Sequence, residues 1–352
     1  CDFRSEKIMK TNVKGLELDE LEKLVTTEWN ERKFRARQMM IWLYHKRAMT
    51  FDEMTDLPKD FRKFLSERAY ISRLKLVNRT ESDEDAIKFL FELEDGNKIE
   101  SVLIYDADRI TVCISTQVGC AQGCKFCATG KMGFIRNLTA AEVIDQVMMI
   151  EEMEFGGKAV TNVVLMGMGE PLANYENSLK ALRLMSAPEG LMIGARKITL
   201  STSGLVPQIR RFTQEGLKVG LALSLNAPKD EIRSKLMPVN RTYSIKETLK
   251  ACREWSVEVG RKVTIEYVLI KDLNDSLDYA RLLCKMMKYI PSKFNLIPFN
   301  EVDGIPFKRP EPEQIEEFRK ILADKYYIAP VRMSKGRDIS AACGQLRTIY
   351  SS

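Results

Sequence analysis

The chain has 352 residues, 45% of them hydrophobic and 30% charged, with a net charge of +6 and one histidine, His45. No apolar run approaches the roughly 20 residues of a membrane span, and the charged start Cys1-Asp2-Phe3-Arg4 lacks a signal-peptide core, so a cytoplasmic protein without membrane contact is expected. Eight cysteines over this length do not form the dense framework of a secreted disulfide scaffold, which leaves reduced or metal-bound thiols. Cys1 stands where Met would, as in a fragment or processed chain, and carries no functional weight.

Leu18, Leu21, Leu24 and Val25 recur at helical spacing, as do Phe34, Met39, Trp42 and Leu43, and Phe61, Phe64 and Leu65 follow the Asp56-Leu57-Pro58 turn. Residues 1–70 therefore read as a small helical accessory module. Within it Arg32, Lys33, Arg35, Arg37, Lys46 and Arg47 gather with no acid between them, a pattern that suits phosphate as well as it suits a solvated helix face. Residues 71–105 turn to strands. Runs from Ile87 to Leu93 and from Lys98 to Tyr105 flank Asp95-Gly96, a hairpin leading into a main domain over 106–352.

From Ile110 onward, short apolar runs alternate with amphipathic stretches, the signature of a parallel sheet covered by helices. The expected strands are Ile110 to Ser115, Asn162 to Met166, Lys197 to Ser201, Val219 to Leu225, Lys262 to Leu269 and Phe294 to Ile297. A further run, Ala329 to Met333, has no helix after it. Capping boxes at Thr139-Ala140-Ala141-Glu142 and Ser244-Ile245-Lys246-Glu247 mark two helix starts. These units are too few to close an eight-stranded barrel. The fold class is therefore α/β, a partial (β/α)6 TIM-like barrel behind a small N-terminal helical module, whose open strand ends suit a large substrate.

Chemistry concentrates at Cys120, Cys124 and Cys127, spaced Cys-x3-Cys-x2-Cys after the first strand of the main domain. A four-iron cluster is closed by one thiolate per iron, so three thiolates leave one iron open to bind and reduce a small molecule. The alternative is structural zinc with Cys113 as a fourth thiolate, in a non-catalytic RNA-binding protein. Against it, only one Cys-x2-Cys pair exists and His45 lies in another module. Cys113, Cys343, Cys252 and Cys284 have the ordinary reading of small buried hydrophobes, although Ala341, Ala342 and Gly344 leave Cys343 sterically open.

The cysteine spacing, with Phe126 before the last cysteine, resembles the radical S-adenosylmethionine (SAM) superfamily. Met166-Gly167-Met168-Gly169-Glu170-Pro171 resembles its Gly-Gly-Glu-Pro element. The segments Leu200-Ser201-Thr202-Ser203-Gly204, Leu223-Ser224-Leu225-Asn226-Ala227-Pro228, Asn295-Leu296-Ile297-Pro298-Phe299-Asn300 and Ala341-Ala342-Cys343-Gly344-Gln345-Leu346 extend the match. Together they resemble the RlmN-type adenine C2 methyltransferases over about residues 15 to 347.

That resemblance implies a 4Fe-4S cluster on Cys120, Cys124 and Cys127, and SAM contacts from Gly169, Glu170, Ser201, Ser224, Leu225, Asn226 and Asn300. Many relatives carry histidine in place of Asn226, so a backbone contact would survive there and an imidazole contact would not. It also implies two SAM molecules per turnover, a catalytic trio of Glu100, Cys113 and Cys343, and a transient disulfide between the two cysteines. In that scheme Cys343 receives a methyl, a radical formed on it adds to adenine C2, Glu100 takes the C2 proton, and Cys113 releases the product. The implied partners are 23S ribosomal RNA, transfer RNA and a reducing donor such as flavodoxin. On the residues alone, Glu100 would read as a solvent-facing strand carboxylate. A C8-specific ribosomal methyltransferase is the near alternative, against which Pro171 leans because alanine is typical there.

Overall fold

The computed structural model describes residues 10–348; Cys1 and the charged start lie outside the described residues. In the N-terminal module, β1 (Thr11–Asn12) pairs in parallel with β2 (Ala69–Tyr70), tying the two ends of the module together. Between them α1 (Leu18–Lys23), α2 (Phe34–Met40) and α3 (Lys59–Arg68) bury Leu21, Met39, Phe61 and Leu65. The acid-free run loses much of its charge to partners distant in sequence. Lys33 pairs with Glu22 at 3.0 Å, Arg37 with Glu189 at 3.0 Å, and Arg47 with Glu151. Lys46 lies 3.6 Å from the Trp42 ring centre.

β3 (Lys75–Ser82), β4 (Ala86–Glu92) and β5 (Lys98–Asp106) run antiparallel. β5 then pairs with β6 (Arg109–Cys113), from Val102 opposite Cys113 to Asp106 opposite Arg109. The hairpin is thus continuous with the main sheet. A short ribbon of β7 (Gln117–Gly119) and β8 (Phe134–Asn137) follows, enclosing the three-cysteine loop and α4 (Ala128–Met132).

After α5 (Ala140–Phe155), strands and helices alternate: β9 (Asn162–Leu165), α6 (Tyr175–Ser186), β10 (Ile198–Thr202), α7 (Val206–Gln214) and β11 (Gly220–Ser224). Then come α8 (Asp230–Leu236), α9 (Ile245–Val259), β12 (Val263–Leu269), α10 (Leu277–Met287), β13 (Ser292–Pro298) and α11 (Pro312–Ala323). The main sheet has nine strands in the order β13-β12-β11-β10-β9-β6-β5-β4-β3, parallel from β13 to β6. Its parallel strands coincide with the runs expected from hydrophobic patterning, and both capping boxes are formed. The run from Ala329 lies along β13, where Val331 bridges Leu296 in parallel and the Arg332 N–H donates to the Leu296 carbonyl at 2.8 Å. No described helix is long and apolar enough to cross a membrane.

α5 buries residues on every side, because the sheet covers one face and the N-terminal module the other. Gly15 makes this approach possible: a Cβ there would stand 2.5 Å from the Ala141 nitrogen. At the junction the buried Lys14 ammonium pairs with Asp145 and donates to the Ser72 carbonyl at 3.2 Å. The Leu74 N–H donates to the second Asp145 oxygen at 2.7 Å. Asp145→Leu alone strands a buried ammonium and should lower the unfolding free energy by about 3–5 kcal/mol. The double variant Lys14→Met/Asp145→Leu should recover most of that loss, as read from denaturant melts.

Candidate active site

The cysteine loop is shaped by backbone contacts at both ends. Gly119, at φ +72°, lets the ribbon close, since a Cβ there would fall 1.9 Å from the Gly133 carbonyl oxygen. The Cys120 N–H donates to that carbonyl at 2.7 Å, Lys125 N–H to the Leu236 carbonyl at 2.9 Å, and Cys127 precedes the first turn of α4. Cys120, Cys124 and Cys127 all face one chamber at the C-terminal ends of the parallel strands. It encloses about 990 Å³ of open space, and its lining also includes Gly169, Glu170, Ser201, Ser224, Asn226, Asn300 and Cys343.

Glu170 is buried. Its oxygens accept from the Ser203 N–H at 2.7 Å and the Leu172 N–H at 3.2 Å, and no cation pairs with it among the described residues. Burial raises its pKa while the Ser203 hydrogen bonds oppose the rise. The flanking glycines serve the protein rather than a ligand: a Cβ at Gly167 would stand 2.7 Å from the Ile114 carbonyl carbon, and one at Gly169 2.6 Å from the Gln117 Cβ. Asn226 holds φ +59°, a conformation asparagine tolerates, and its Oδ1 accepts from the Val268 N–H at 2.8 Å. Leu225 stands apart from the chamber. Its side chain is fully buried, its N–H donates to the Glu266 carbonyl, and its own carbonyl accepts from Arg233.

The tail carrying Cys343 lies directly on the cysteine loop. The Asn300 amide donates to the Cys343 carbonyl at 3.1 Å and to the Ser334 hydroxyl at 2.9 Å. Ala128 N–H donates to the Gly344 carbonyl at 2.7 Å, and the Thr129 hydroxyl to the Leu346 carbonyl at 2.6 Å. Cys113 and Cys343 line a second pocket inside the barrel, with Met166, Glu266 and Arg332. Met166, Glu266 and Cys343 border both spaces. All described cysteines are free thiols. Burial pushes the Cys113 thiol up to about 12 and raises Cys343, and the Arg332 charge opposes both shifts.

Glu100 borders neither pocket. It is buried, not solvent-facing; Lys88 pairs with one oxygen at 3.0 Å and the Arg347 N–H donates to the other at 2.8 Å. Burial raises its pKa against the pull of Lys88. Glu100 lies on the sheet face of Val102, opposite Cys113, about 7 Å along the strand. Sequence reasoning missed Glu266, Arg332 and above all Arg233, a fully buried guanidinium that ties together the carbonyls of Ser203, Ser224 and Leu225. Nothing in the periodicity of its short helix marks Arg233 as different from the surface arginines.

The donor set fits a four-iron cluster with SAM. Burial pushes the Cys120 thiol up to about 12 and raises Cys124 and Cys127, which a bound metal reverses by taking thiolates. Beside them stand a buried carboxylate lacking a cation and an orphaned Asn300 Oδ1, groups that suit an ammonium and a hydrogen-bond donor. Zinc fits less well. A fourth thiolate is out of place for it, since Cys113 lines the second pocket and the three loop cysteines line the first. A cubic cluster takes each thiolate on a separate iron, so its ligands stand farther apart.

Residues 114–283 match the Radical SAM superfamily, and residues 11–71 match the Ribosomal RNA large subunit methyltransferase N-terminal domain. The Dual-specificity RNA methyltransferase RlmN of Geotalea uraniireducens is 48% identical over 338 residues, covering 96% of this chain and 97% of the relative. The chain belongs to the RlmN family. The probable RlmN enzyme of Thermotoga neapolitana is 47% identical over 338 residues, covering 96% and 97%. A crystal structure of a radical SAM methyltransferase from Sphaerobacter thermophilus has a TM-score of 0.90 at 46% identity, covering 96% of this chain and 99% of that one. As an RlmN-family member the chain is a radical SAM RNA methyltransferase, and its superfamily implies a 4Fe-4S cluster and SAM.

Asn300→Ala removes the bonds to the Cys343 carbonyl and the Ser334 hydroxyl and leaves those from Ala128 and Thr129 in place. With each bond worth about 1 kcal/mol, amide hydrogen exchange between Ala341 and Leu346 should accelerate at least about fivefold. Unchanged exchange in that segment would remove Asn300 from the clamp.

Proposed function

We propose that the protein methylates C2 of adenosine in 23S ribosomal RNA and transfer RNA, with Cys343 as methyl carrier and Cys113 as resolving thiol. The observation that carries this reading is the position of Cys343. It borders the three-cysteine chamber on one side and the pocket holding Cys113 on the other. Residues 1–70 are assigned as the RNA-contacting accessory module, residues 71–105 as the hairpin entry, and residues 106–352 as the catalytic core.

Adenine C2 is electron-poor and bears an unactivated C–H bond, so a polar attack on a sulfonium methyl has no nucleophile to use. Cys120, Cys124 and Cys127 would hold a four-iron cluster, which with SAM would supply the reducing chemistry for a carbon-centred radical. Glu170 would pair with the ammonium of the methionine moiety, and Ser201, Ser224 and Asn300 would complete the cradle, with Gly169 and Asn226 contributing backbone; Leu225, whose N–H and carbonyl bind Glu266 and Arg233, would act by fixing the strand end beside them.

The Cys343 sulfur would first attack the methyl carbon of one SAM, with S-adenosylhomocysteine leaving; burial raises this thiol and the Arg332 charge opposes the rise, favouring the thiolate that reacts. In the radical step the S-methyl carbon of Cys343 would lose a hydrogen atom and bond to C2. Glu100 would accept the C2 proton as the adduct gives one electron back to the iron–sulfur centre. Lys88 opposes the burial of that carboxylate and favours its ionised, proton-accepting form. Attack of the Cys113 sulfur on Cys343 would then break the carbon–sulfur bond, the freed carbon taking a proton to become the methyl group, and leave a disulfide that a reductant must reopen; a flavodoxin-class protein is assigned as the electron donor. The target adenosine must stand outside a stack, because its C2 edge is closed in a duplex.

Three outcomes test the reading. Anaerobically reconstituted protein should carry a brown iron and sulfide centre that Cys124→Ala loses, whereas zinc alone would restore the binding-protein alternative. Mass spectrometry of the RNA product should locate the methyl on C2; a methyl on C8 overturns the site assignment. Glu100→Gln should still methylate Cys343 yet stall on RNA, and full turnover by that variant would refute the base.

A further inference from the structure

The second pocket has its own mouth, at the end of the barrel opposite the cofactor chamber. It encloses about 1940 Å³ of open space. Its rim is made from the starts of strands rather than their ends: Arg196 and Lys197 immediately precede β10, Arg261 lies two residues before β12, and Lys293 is the second residue of β13.

These four cations form no ion pair among the described residues. Arg261 instead donates to the carbonyls of Lys218 and, at 3.5 Å, Arg196, so two guanidinium-bearing residues meet at the rim. Burial and then the Arg196 charge depress the Arg261 pKa. Two acids line the same pocket: Asp106 pairs with Arg109, and Glu266, which accepts from the Asn295 amide at 2.7 Å, faces the charges of Arg332 and Lys293, so Arg196, Lys197 and Arg261 are the charges left without an acid. The contrast with the N-terminal module is sharp, since there Lys33, Arg37 and Arg47 each meet a glutamate. Crowded like charges left uncompensated raise the free energy of a fold, and a polyanion removes that cost.

We propose that this mouth binds the phosphate backbone of the RNA strand flanking the target adenosine, so that RNA and SAM approach Cys343 from opposite ends of the barrel. The inference rests on the RNA methyltransferase reading above. It gives the shared wall a purpose, because a base entering from the mouth meets the pocket of Cys113 and Cys343 without crossing the cofactor chamber.

The test uses the reconstituted full chain, an RNA hairpin with an unpaired adenosine, and the charge-removing variants Arg196→Gln/Lys197→Gln and Arg261→Gln/Lys293→Gln. Fluorescence anisotropy across a salt series should show affinity lowered about tenfold at low salt. The slope of log affinity against log salt should shrink by about 0.7 for each lost contact. Iron content and melting temperature serve as fold controls; if the half-buried Arg261 position is not tolerated, Lys293→Gln combined with Arg196→Gln/Lys197→Gln decides. Wild-type affinity and slope in the variants overturn the proposal. So does retained RNA binding with slowed reduction by flavodoxin, which would make the mouth a dock for an acidic electron donor. Failure of the wild-type protein itself to bind or methylate RNA would instead bring down the functional reading, and this inference with it.

Discussion

The carbonyls of Cys343, Gly344 and Leu346 are held by Asn300, Ala128 and Thr129, three residues of the strand-end and cysteine-loop scaffold. Everything the site can do depends on that docking. A free segment near the end of a chain costs about 1–2 kcal/mol per residue to order, and under the proposed function a Cys343 sulfur that wandered would lose its place between the two pockets. Because Asn300 reaches the tail just past the end of β13, lines the chamber and keeps a buried Oδ1 without a hydrogen-bond partner, one side chain links the chamber to the Cys343 segment.

The antiparallel strands β3, β4 and β5 supply the other side of the mount. Ser82 binds Asp338, Glu84 pairs with Arg337 at 2.6 Å, Asp85 with Lys335 at 3.1 Å, and Glu100 accepts from the Arg347 N–H. A barrel closed by two further parallel strands would leave no room for this shelf. Openness here admits the chain's own tail as well as a substrate. α5 anchors the arrangement from outside, sandwiched between the sheet and the N-terminal module through Lys14, Arg47 and Arg73.

Charge divides the barrel along its axis. At the strand C-terminal ends stand three thiols and a carboxylate with no cation paired to it, an environment that favours irons, an ammonium and a sulfonium. At the strand starts Arg196, Lys197 and Arg261 stand without an ion-pair partner among the described residues. Between them Glu266, Arg332, Cys113 and Cys343 share a compact interior in which each group's charge bears on the others. Under the proposed entry of RNA from the strand starts, such a division would keep a cationic cofactor and an anionic polymer on separate paths.

The repeating pattern from Ile110 to Ile297 was legible because parallel strands buried on both faces need continuous apolar runs, and their helices need amphipathic ones. The cysteine spacing was legible because ligands drawn from one loop keep a local signature. Other features were not. The fate of the Arg32 to Arg47 charges depended on Glu22, Glu151 and Glu189, and the role of the glycines beside Glu170 depended on Ile114 and Gln117. The buried Arg233 looked like any helix-surface arginine until its three carbonyl partners converged. Sequence alone therefore determined the elements, their order and the metal-ligand loop, all set by contacts within a few residues or by periodic burial. Only the tertiary structure decided which charges are cancelled, which thiols share a pocket and where the tail is held, because those depend on groups separated by up to about 250 residues of chain.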